Sequence, residues 1–341
     1  MIGTTDTVRK PGQRAGFGVI GGGRWGVTLA HVVASHGNPT RLWCADSKRA
    51  GHLQRNRSLK KLVPELLKLH ADVDITAELA DVVDGCHTLI LACSAEVTRE
   101  WANRLGRHVD GSHVVLHAVR GLEPGTLKRA SRVLREETCV RKVGALAGPV
   151  LVEELLAGRP NAFVCATRYP EALARAREAF TGPSVRVYGS RDLPGVEIAA
   201  AASAVAAVGM GVALELGLGP ATLSILATRG AAEIARVVAA AGGDPGSAWG
   251  LAGLGELLAL RESNSREVQA GRLLAQGATV AEAQKKLGRL DAVDAAGTFA
   301  ALAAHYHVEA HIASAVFGLL GGKIDAKAAM IQLMSLKQMA E

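Results

Sequence analysis

The sequence predicts an α/β fold, in which an N-terminal doubly wound parallel sheet is followed by an all-helical C-terminal domain. Two patterns indicate it. Short apolar runs alternate with helical patterns as far as about residue 190, and from Leu193 onward Ala, Leu and Gly at helical spacing dominate. Alternating strands and helices are typical of parallel sheets covered by helices. We therefore expect a flexible leader at 1–14, a sheet domain at 15–192 and a helical domain at 193–341.

Seven apolar runs are the strand candidates of the first domain. The helical segments between them include 27–37, whose final Gly is typical of a helix C-cap, and a polar helical segment at 47–69. In chain order the strand candidates are GFGVI (16–20), TRLWC (40–44), HTLILAC (87–93), SHVVLHA (112–118), KVGALAG (142–148), NAFVCAT (161–167) and VRVYGS (185–190).

Composition favours a folded protein that binds anionic ligands. Hydrophobic residues make up 49% and charged residues 21% of the chain, and the formal net charge is +7. The basic residues are scattered and only 4% of residues are aromatic, so we expect no nucleic-acid partner. The five cysteines form no CxxC pattern and no Cys/His ligand spacing. We therefore expect a reduced cytoplasmic setting and no metal site.

One apolar run is long enough to suggest a membrane span. It begins at Ile198, reads IAAAASAVAAVGMGVALELGLG, and has Glu197 and Glu215 close by. Ala and Gly contribute little to membrane insertion, which Leu, Ile, Phe and Val favour. We therefore expect a buried helix whose small residues permit close helix packing, and no membrane partner.

A glycine-rich turn follows the first strand candidate and begins the first helix. Gly21, Gly23 and Gly26 form GxGxxG, in which the first glycine permits a tight turn, the second lets a pyrophosphate approach the backbone, and the third lets helix and strand pack closely. The N-terminus of the helix favours anions as well. We therefore predict a Rossmann domain that binds a dinucleotide at this turn, which also contains Arg24 and Trp25.

The end of the second strand decides between NAD and NADP. Asp46 lies 20 residues beyond Gly26, where an acid would bond the 2′-hydroxyl of the ribose. Lys48 and Arg49 are close enough to bind a 2′-phosphate instead. We expect NAD, with NADP as the alternative.

Eight motifs follow one another along the chain: GGGRWGVTLA (21–30), LVP (62–64), RGLEPGT (120–126), AGPVLVEELLAGRP (147–160), RVYGSRDLPGVE (186–197), LATRGAAEIAR (226–236), GLAGLGELLAL (250–260) and SRE (265–267). This ordered series resembles the NAD(P)-dependent glycerol-3-phosphate dehydrogenases, from about residue 16 to about 335. The resemblance implies a helical domain like the C-terminal domain of 6-phosphogluconate dehydrogenase, a site in the cleft between the domains, and a homodimer.

The resemblance also implies site residues, and several of them depart from the family pattern. The proton-handling Lys of the family and the Asn after it align with Ser203 and Ala204, so the active-site lysine is expected to be absent. The cofactor-side acids are expected at Glu154 and Asp291. At the remaining substrate-side positions this chain differs from the residue that the family has. It has Arg120 where the family has Lys, Glu256 in place of Asp, Leu260 in place of Thr, Glu267 in place of Asn beside the retained Arg266, Ala147 in place of Ser, and Ala221 in place of Asn.

Three functions remain open at this stage. The first is an oxidoreductase for glycerol 3-phosphate or a related small anion, with Arg266 and Arg120 on the anion and Glu256 as the acid–base group. The second is an NAD(H)-binding pseudoenzyme that acts as a sensor or interaction partner, since a serine such as Ser203 is a poor general acid. The third is a reductase of a different specialised metabolite, whose amine the glutamates would recognise. His117 is a further candidate proton carrier, or else a satisfied strand histidine.

Overall fold

The apolar runs of the N-terminal half form one sheet in the computed structural model, which describes residues 16–262 and 265–334. The leader predicted at 1–14 lies outside the described residues. The strands are β1 (Phe17–Ile20), β2 (Thr40–Trp43), β3 (Val73–Thr76), β4 (Thr88–Leu91), β5 (Val114–His117), β6 (Lys142–Ala147), β7 (Asn161–Ala166) and β8 (Val185–Ser190).

The strand order is β3-β2-β1-β4-β5-β6-β7-β8. Successive strands are added on one side of β1 as far as β3, and on its other side from β4 onward. Phe17 of β1 is in register with Thr40 of β2 on one side and Thr88 of β4 on the other, in parallel pairs. Ligands of doubly wound sheets bind at the carboxyl ends of the strands beside such a switch point. The fold therefore places the glycine-rich turn, which follows β1, at that edge.

The sheet is not parallel throughout, which corrects one part of the sequence-based expectation. Leu146 of β6 pairs with Cys165 of β7 in an antiparallel ladder, and β8 runs parallel to β7. The last two strands therefore run against the first six. Apolar runs predict burial on both faces of a strand but carry no information about its direction.

Helices cover the sheet and form most of the chain after it. Those of the sheet domain are α1 (Arg24–Ser35), α2 (Ser47–Asn56), α3 (Leu79–Gly85), α4 (Thr98–Gly106), α5 (Ala130–Glu137), α6 (Val152–Leu156) and α7 (Pro170–Phe180). Those after the sheet are α8 (Leu193–Glu215), α9 (Pro220–Ala240), α10 (Gly246–Trp249), α11 (Glu256–Glu262), α12 (Arg266–Ala275), α13 (Val280–Leu287), α14 (Asp291–His305), α15 (His311–Leu320) and α16 (Ala326–Met334).

The polar helix predicted at 47–69 is shorter, and a strand that the sequence reasoning missed follows it. Helix α2 ends at Asn56, because Arg57 adopts the left-handed conformation with φ 54°. The Arg57 side chain then donates to the carbonyl of Val73 at 2.8 Å and holds this loop against β3. Strand β3 has only four residues, and its exposed Asp74 interrupts the apolar pattern.

Helix α8, which contains the suspected membrane segment, lies at the centre of the helical domain. It is long and apolar enough to cross a membrane by length and composition, yet 94% of its most apolar window is buried inside the fold. A Cβ on Gly211 of α8 would lie 2.1 Å from the carbonyl of Val268 in α12, and one on Gly271 would lie 2.1 Å from the carbonyl of Val208. The small residues thus serve close helix packing, as the sequence predicts.

One apolar cluster spans the two domains. Ala145 and Val164 of the sheet belong to the same buried cluster as Ile198 and Val205 of α8. Asp192 caps the start of α8 by accepting from the Gly195 amide at 3.1 Å. This packing fixes the helical domain against the sheet and brings α8, α11 and α12 toward the loops that follow β5 and β6.

Candidate functional site

The glycine-rich turn has the geometry of a phosphate cradle. Gly21 has φ 136°, a conformation that side chains rarely adopt, and a Cβ on Gly26 would lie 1.9 Å from the Gly21 carbonyl. A Cβ on Gly23, by contrast, would meet no atom within 4 Å. Gly21 and Gly26 are therefore required by the turn itself, whereas Gly23 leaves open space beside the backbone.

That open space lies at the N-terminus of α1. Gly23 is the N-cap of this helix and supplies no side-chain cap, and its carbonyl accepts from Val27 at 3.0 Å. The first amides of a helix have no partner inside it and carry its positive dipole end. Open space and free amides together fit the pyrophosphate of a dinucleotide.

Arg24 and Trp25, both predicted at the cofactor, are held by other parts of the sheet domain. The Arg24 guanidinium donates to both carboxylate oxygens of Glu65, at 2.7 and 2.8 Å. This hydrogen bond lowers the pKa of Glu65. The Trp25 ring packs 6.3 Å from that of Phe163. Arg24 therefore fastens the loop that carries the LVP motif to the cradle, a contact that the sequence reasoning missed.

An acidic residue and two basic residues lie just after the end of β2. Asp46 caps α2, and its Oδ1 accepts from the amides of Lys48 at 2.9 Å and Arg49 at 3.3 Å. The Arg49 guanidinium reaches back to the carbonyl of Gly22, at 3.3 Å. A carboxylate for a ribose hydroxyl and a guanidinium for a 2′-phosphate thus both border the cradle, and NAD remains a prediction with NADP as its alternative.

The substrate side of the predicted site centres on one buried ion pair. Glu256, the first residue of α11, is 1% exposed, and its Oε1 lies 2.8 Å from a guanidinium nitrogen of Arg120, in the loop after β5. Neither carboxylate oxygen has a hydrogen bond of good geometry from the described residues. Of this pair, 25% of the Arg120 side chain is exposed, whereas both carboxylate oxygens of Glu256 are buried.

Opposing effects of burial and neighbouring charges set the pKa of Glu256. Burial raises its pKa, Arg120 lowers it, and the neighbouring acids Glu267 and Asp291 raise it again, with the result that the pKa lies at about 7. A carboxyl group with a pKa near neutral pH can exchange a proton in either direction. The Glu256 position predicted from sequence is thus brought together with Arg120, Glu267 and Asp291.

Arg266 and Glu267 lie side by side at the start of α12, which Ser265 caps. The Arg266 guanidinium forms no hydrogen bond or salt bridge with the described part of the chain, although it acts electrostatically on Glu267. Glu267 is 7% exposed, and burial, followed by the charge of Asp291, raises its pKa. A guanidinium that pairs with no described residue therefore stands next to a buried acid at the substrate side.

Ser203, which the sequence resemblance aligns with the lysine of the family, is a core residue. It is fully buried, and its hydroxyl donates to the Ala199 carbonyl at 2.9 Å, with the carbonyls of Ala252 and Gly253 at 3.3 and 3.2 Å. The last two belong to a π-helical turn that leads into Glu256. Ser203 therefore joins α8 to the segment that positions Glu256.

The remaining predicted site residues have separate contacts of their own. Glu154 is partly buried in α6, with its carboxylate 3.6 Å from the Arg159 guanidinium. Asp291 begins α14 and acts on Glu256 and Glu267 through its charge. Ala147 and Leu260 are buried apolar residues. The described residues hold no group of three His, Cys, Asp or Glu that could bind a metal ion.

Sequence reasoning missed a buried polar network that joins the end of β5, the start of α5 and helix α8. His117, at the end of β5, is 1% exposed, and its Nε2 lies 3.1 Å from Oε1 of Glu197 in α8. Arg129 donates to this carboxylate at 2.9 Å, and Ser131 donates its amide at 2.9 Å and its hydroxyl at 2.6 Å. In the sequence, Glu197 of the GVE motif was the residue that could have indicated this network.

Comparison with known proteins agrees with this architecture. The family described as NAD-dependent glycerol-3-phosphate dehydrogenase matches with its N-terminus at residues 17–173 and with its C-terminus at residues 192–331. The chain is 34% identical over 320 residues to the glycerol-3-phosphate dehydrogenase [NAD(P)+] of Fusobacterium nucleatum, covering 93% of this chain and 95% of the relative. It is 33% identical over 330 residues to that of Methylibium petroleiphilum, covering 95% and 97%.

A solved structure shows the same fold over nearly the whole chain. The glycerol-3-phosphate dehydrogenase of Coxiella burnetii superposes with a TM-score of 0.90 at 25% identity, covering 95% of this chain and 99% of that one. The fold class and the resemblance predicted from sequence are thereby confirmed. This chain belongs to the NAD(P)-dependent glycerol-3-phosphate dehydrogenases, a family of oxidoreductases that act on a CH–OH group.

Proposed function

We propose that this chain is an active NAD(P)-dependent oxidoreductase that uses Glu256, in place of a lysine, to exchange the proton of the substrate oxygen. The buried pair of Glu256 and Arg120 carries the proposal, because it places a carboxyl group with a pKa of about 7 beside a fixed positive charge. The substrate is glycerol 3-phosphate, dihydroxyacetone phosphate or a related small anion, and Arg266, which pairs with no described residue, supplies the cation for it.

The proposed roles follow from charge and position. Gly21, Gly23 and Gly26 would hold the dinucleotide, which would supply the hydride chemistry at the carbinol carbon. In alcohol oxidation the Glu256 carboxylate takes the hydroxyl proton, and in ketone reduction the Glu256 carboxylic acid returns it. Arg120 stabilises negative charge on the oxygen while the proton moves. Arg266 holds the anionic group of the substrate and so orients the carbinol carbon.

The absence of the family lysine is part of this proposal. Ungapped alignment from the GVE motif to the TRG motif puts the lysine position at Ser203 and the next residue at Ala204. The Ser203 hydroxyl is buried among three backbone carbonyls, which supports a structural role for it. On this interpretation the active site diverges from the family pattern, and the acid–base role has moved from α8 to α11.

We also propose that the protein is a cytoplasmic homodimer, as the family resemblance implies. Light scattering of the purified protein is expected to give twice the mass of one chain. A mass equal to one chain would contradict the dimer without affecting the proposed chemistry.

The direct test is turnover by the purified full-length protein. NADH and NADPH oxidation is followed with dihydroxyacetone phosphate and a panel of small 2-keto acids. Turnover that falls on the order of 10²–10⁴-fold in Glu256→Gln, and not in the control Glu215→Gln, is the expected result. Glu215 is a partly exposed acid at the end of α8 that accepts from Gln276. If NADH binds but no substrate in the panel is reduced, the proposal fails.

One observation favours a second candidate, the NAD(H)-binding pseudoenzyme that serves as a sensor or interaction partner. The Ser203 hydroxyl is engaged entirely by the protein and has no proton to offer a ligand. The double substitution Ser203→Lys with Ala204→Asn separates the two candidates. Turnover that appears only in the double variant favours the pseudoenzyme, whereas turnover already present in the unmodified chain excludes it.

A further inference from the structure

We propose that Arg99 and Glu123 are positioning residues for the reaction, because together they hold the loop after β5 so that the guanidinium of Arg120 meets Glu256. The inference rests on the proposed function and adds two residues to that same site. Its starting observation is a bidentate ion pair, in which Arg99 donates to both carboxylate oxygens of Glu123, at 2.6 and 2.8 Å. Such a pair fixes the relative orientation of its two side chains.

Glu123 lies close to Arg120 in the chain and is held by more than one contact. Its side chain is only 10% exposed, and the Thr126 hydroxyl also donates to its carboxylate. Only Gly121 and Leu122 separate Glu123 from Arg120. Because consecutive Cα atoms are about 3.8 Å apart, a shift of Glu123 is passed on to the backbone of Arg120.

The pair joins this loop to a neighbouring helix. Backbone hydrogen bonds inside the loop determine its shape, since the Glu123 amide donates to the Lys128 carbonyl at 2.8 Å and the Leu127 amide donates to the Glu123 carbonyl at 3.0 Å. Both of these bonds connect residues of the loop to each other. Arg99, by contrast, is the second residue of α4, so its bonds to Glu123 fasten the loop to that helix.

Arg99 is itself held in place by two further acids. Its guanidinium donates to Glu136 at 3.0 Å and also to Glu137, both at the end of α5. Three carboxylates around one planar guanidinium leave it few other orientations. Arg99 therefore connects α4, α5 and the loop that carries Arg120.

The position of Arg120 affects both the rate and the proton carrier. In the proposed function Arg120 stabilises charge on the substrate oxygen, and misplacement by about 1 Å can cost on the order of 10²-fold in rate. Arg120 also lowers the pKa of Glu256, against the effects of burial, Glu267 and Asp291. A loop that Arg99 no longer holds is thus expected to reduce turnover and to raise the pKa of Glu256.

Arg99→Gln and Glu123→Gln, alone and combined, test the inference in the full-length protein. Oxidation of NADH or NADPH, with the substrate that the unmodified protein reduces, gives kcat and KM at a series of pH values. We expect each variant to lower kcat on the order of tenfold or more and to leave KM within about threefold. The fall of kcat with rising pH is expected to move to higher pH. The double variant should be no slower than the slower single variant, since the two residues act as one unit.

Arg132→Gln is the matched control for an arginine-to-glutamine change in the same network. Arg132 donates to Glu136 at 3.2 Å, a bond within α5, and its side chain is 66% exposed. This variant is expected to change neither kcat nor KM nor the pH profile. Thermal melts and NADH titrations verify the fold and the cradle in every variant.

The outcomes separate this inference from the proposed function. Unchanged kcat and an unchanged pH profile in Arg99→Gln and Glu123→Gln overturn the inference and leave the proposed function standing. A fall in kcat without movement of the pH profile overturns it too, because general damage to the fold gives that result. So does unfolding of both single variants, since the pair would then stabilise the fold and not the orientation of Arg120. No turnover by the unmodified protein with NADH bound removes the proposed function itself, and this inference with it.

Discussion

At the scale of single residues, the protonation state of Glu256 determines the direction of proton transfer. Its pKa of about 7 means that the carboxylate predominates above that pH and the carboxylic acid below it. Alcohol oxidation needs the carboxylate, so its rate is expected to rise as pH increases through about 7. Ketone reduction needs the acid, so its rate is expected to fall over the same interval. Initial rates in both directions across pH 5–9, about two pH units either side of that pKa, check this.

The Glu256→Gln variant connects this pH dependence to one side chain. It is expected to lose turnover and also the pH dependence near 7, since an amide does not titrate there. The substitution also leaves Arg120 without its partner, and the pH profile distinguishes this effect from the loss of the proton carrier. Retention of the same pH profile in the variant would show that a different group carries the proton.

At the residue scale, the need for glycine in the turn is a local requirement that the sequence pattern can express. The roles of Gly21 and Gly26 follow from a turn of six residues, and the structure places both where a side chain would collide. The state of Glu256 is different, because it depends on burial and on Arg120, which is distant in the chain. The resemblance supplied both positions, but only the fold brings their charges to 2.8 Å.

At the scale of elements, alanine substitution of two neighbouring glycines in the turn between β1 and α1 is expected to affect stability differently. A Cβ at Gly23 meets no atom within 4 Å, so Gly23→Ala is expected to fold with an unchanged Tm but to bind NADH more weakly, because the methyl group occupies the space for the pyrophosphate. Gly26→Ala would put a Cβ 1.9 Å from the Gly21 carbonyl and is expected to lower the Tm as well. Thermal melts and NADH titrations measure both effects.

Gly111→Ala is the matched control for these substitutions, since its Cβ would lie in open space far from the cradle. It is expected to change neither Tm nor NADH affinity. Undiminished NADH binding by Gly23→Ala would contradict the placement of the pyrophosphate in this turn.

The junction between α8 and α5 makes a prediction about stability and pH. Burial raises the pKa of Glu197, but the hydrogen bond and charge of His117, with Arg129 and Ser131, lower it to about 2. A lowered pKa stabilises the fold above the ordinary value of 4.5, and that contribution is lost as pH falls from 4.5 toward 2. The shift corresponds to about 3 kcal/mol at neutral pH.

Glu197→Gln is therefore expected to lower the free energy of unfolding by about 3 kcal/mol at pH 7. The difference from the unmodified protein should shrink as the pH approaches 3. Urea denaturation at both pH values measures it, with Glu100→Gln as the control because the Glu100 side chain is 65% exposed. A difference that is the same at both pH values would show that packing, and not the charge of Glu197, stabilises this junction.

Elements with a strong apolar pattern were predicted well from sequence. Elements whose presence or direction depends on tertiary contacts were predicted poorly. The apolar runs located seven of the strands, whereas β3 was missed because Asp74 at the sheet edge interrupts its pattern. The antiparallel direction of β7 depends on its pairing with β6, and no local signal specifies that pairing. Helix α8 was identified as a core helix because its small residues fit close packing better than membrane insertion.

At the scale of the whole molecule, the proposed site is assembled from both domains. The cradle belongs to the sheet domain, whereas Glu256, Arg266 and Glu267 begin helices of the helical domain. Arg120 and Glu256 form one salt bridge between the domains, and Arg129 and Glu197 form another. We therefore expect ligand affinity to depend on the packing of the two domains.

The shared core predicts that the two domains unfold together. Ala145 and Val164 of the sheet are buried in one cluster with residues of α8, so unfolding either domain exposes apolar surface of the other. Calorimetry is expected to show one transition. NADH at 100 times its Kd would stabilise the native state by about 2.7 kcal/mol, and should therefore shift the entire peak upward. In Gly23→Ala the same NADH concentration should shift it less. Two separate peaks, of which NADH moves only one, would show that the sheet domain binds the dinucleotide and unfolds independently of the helices.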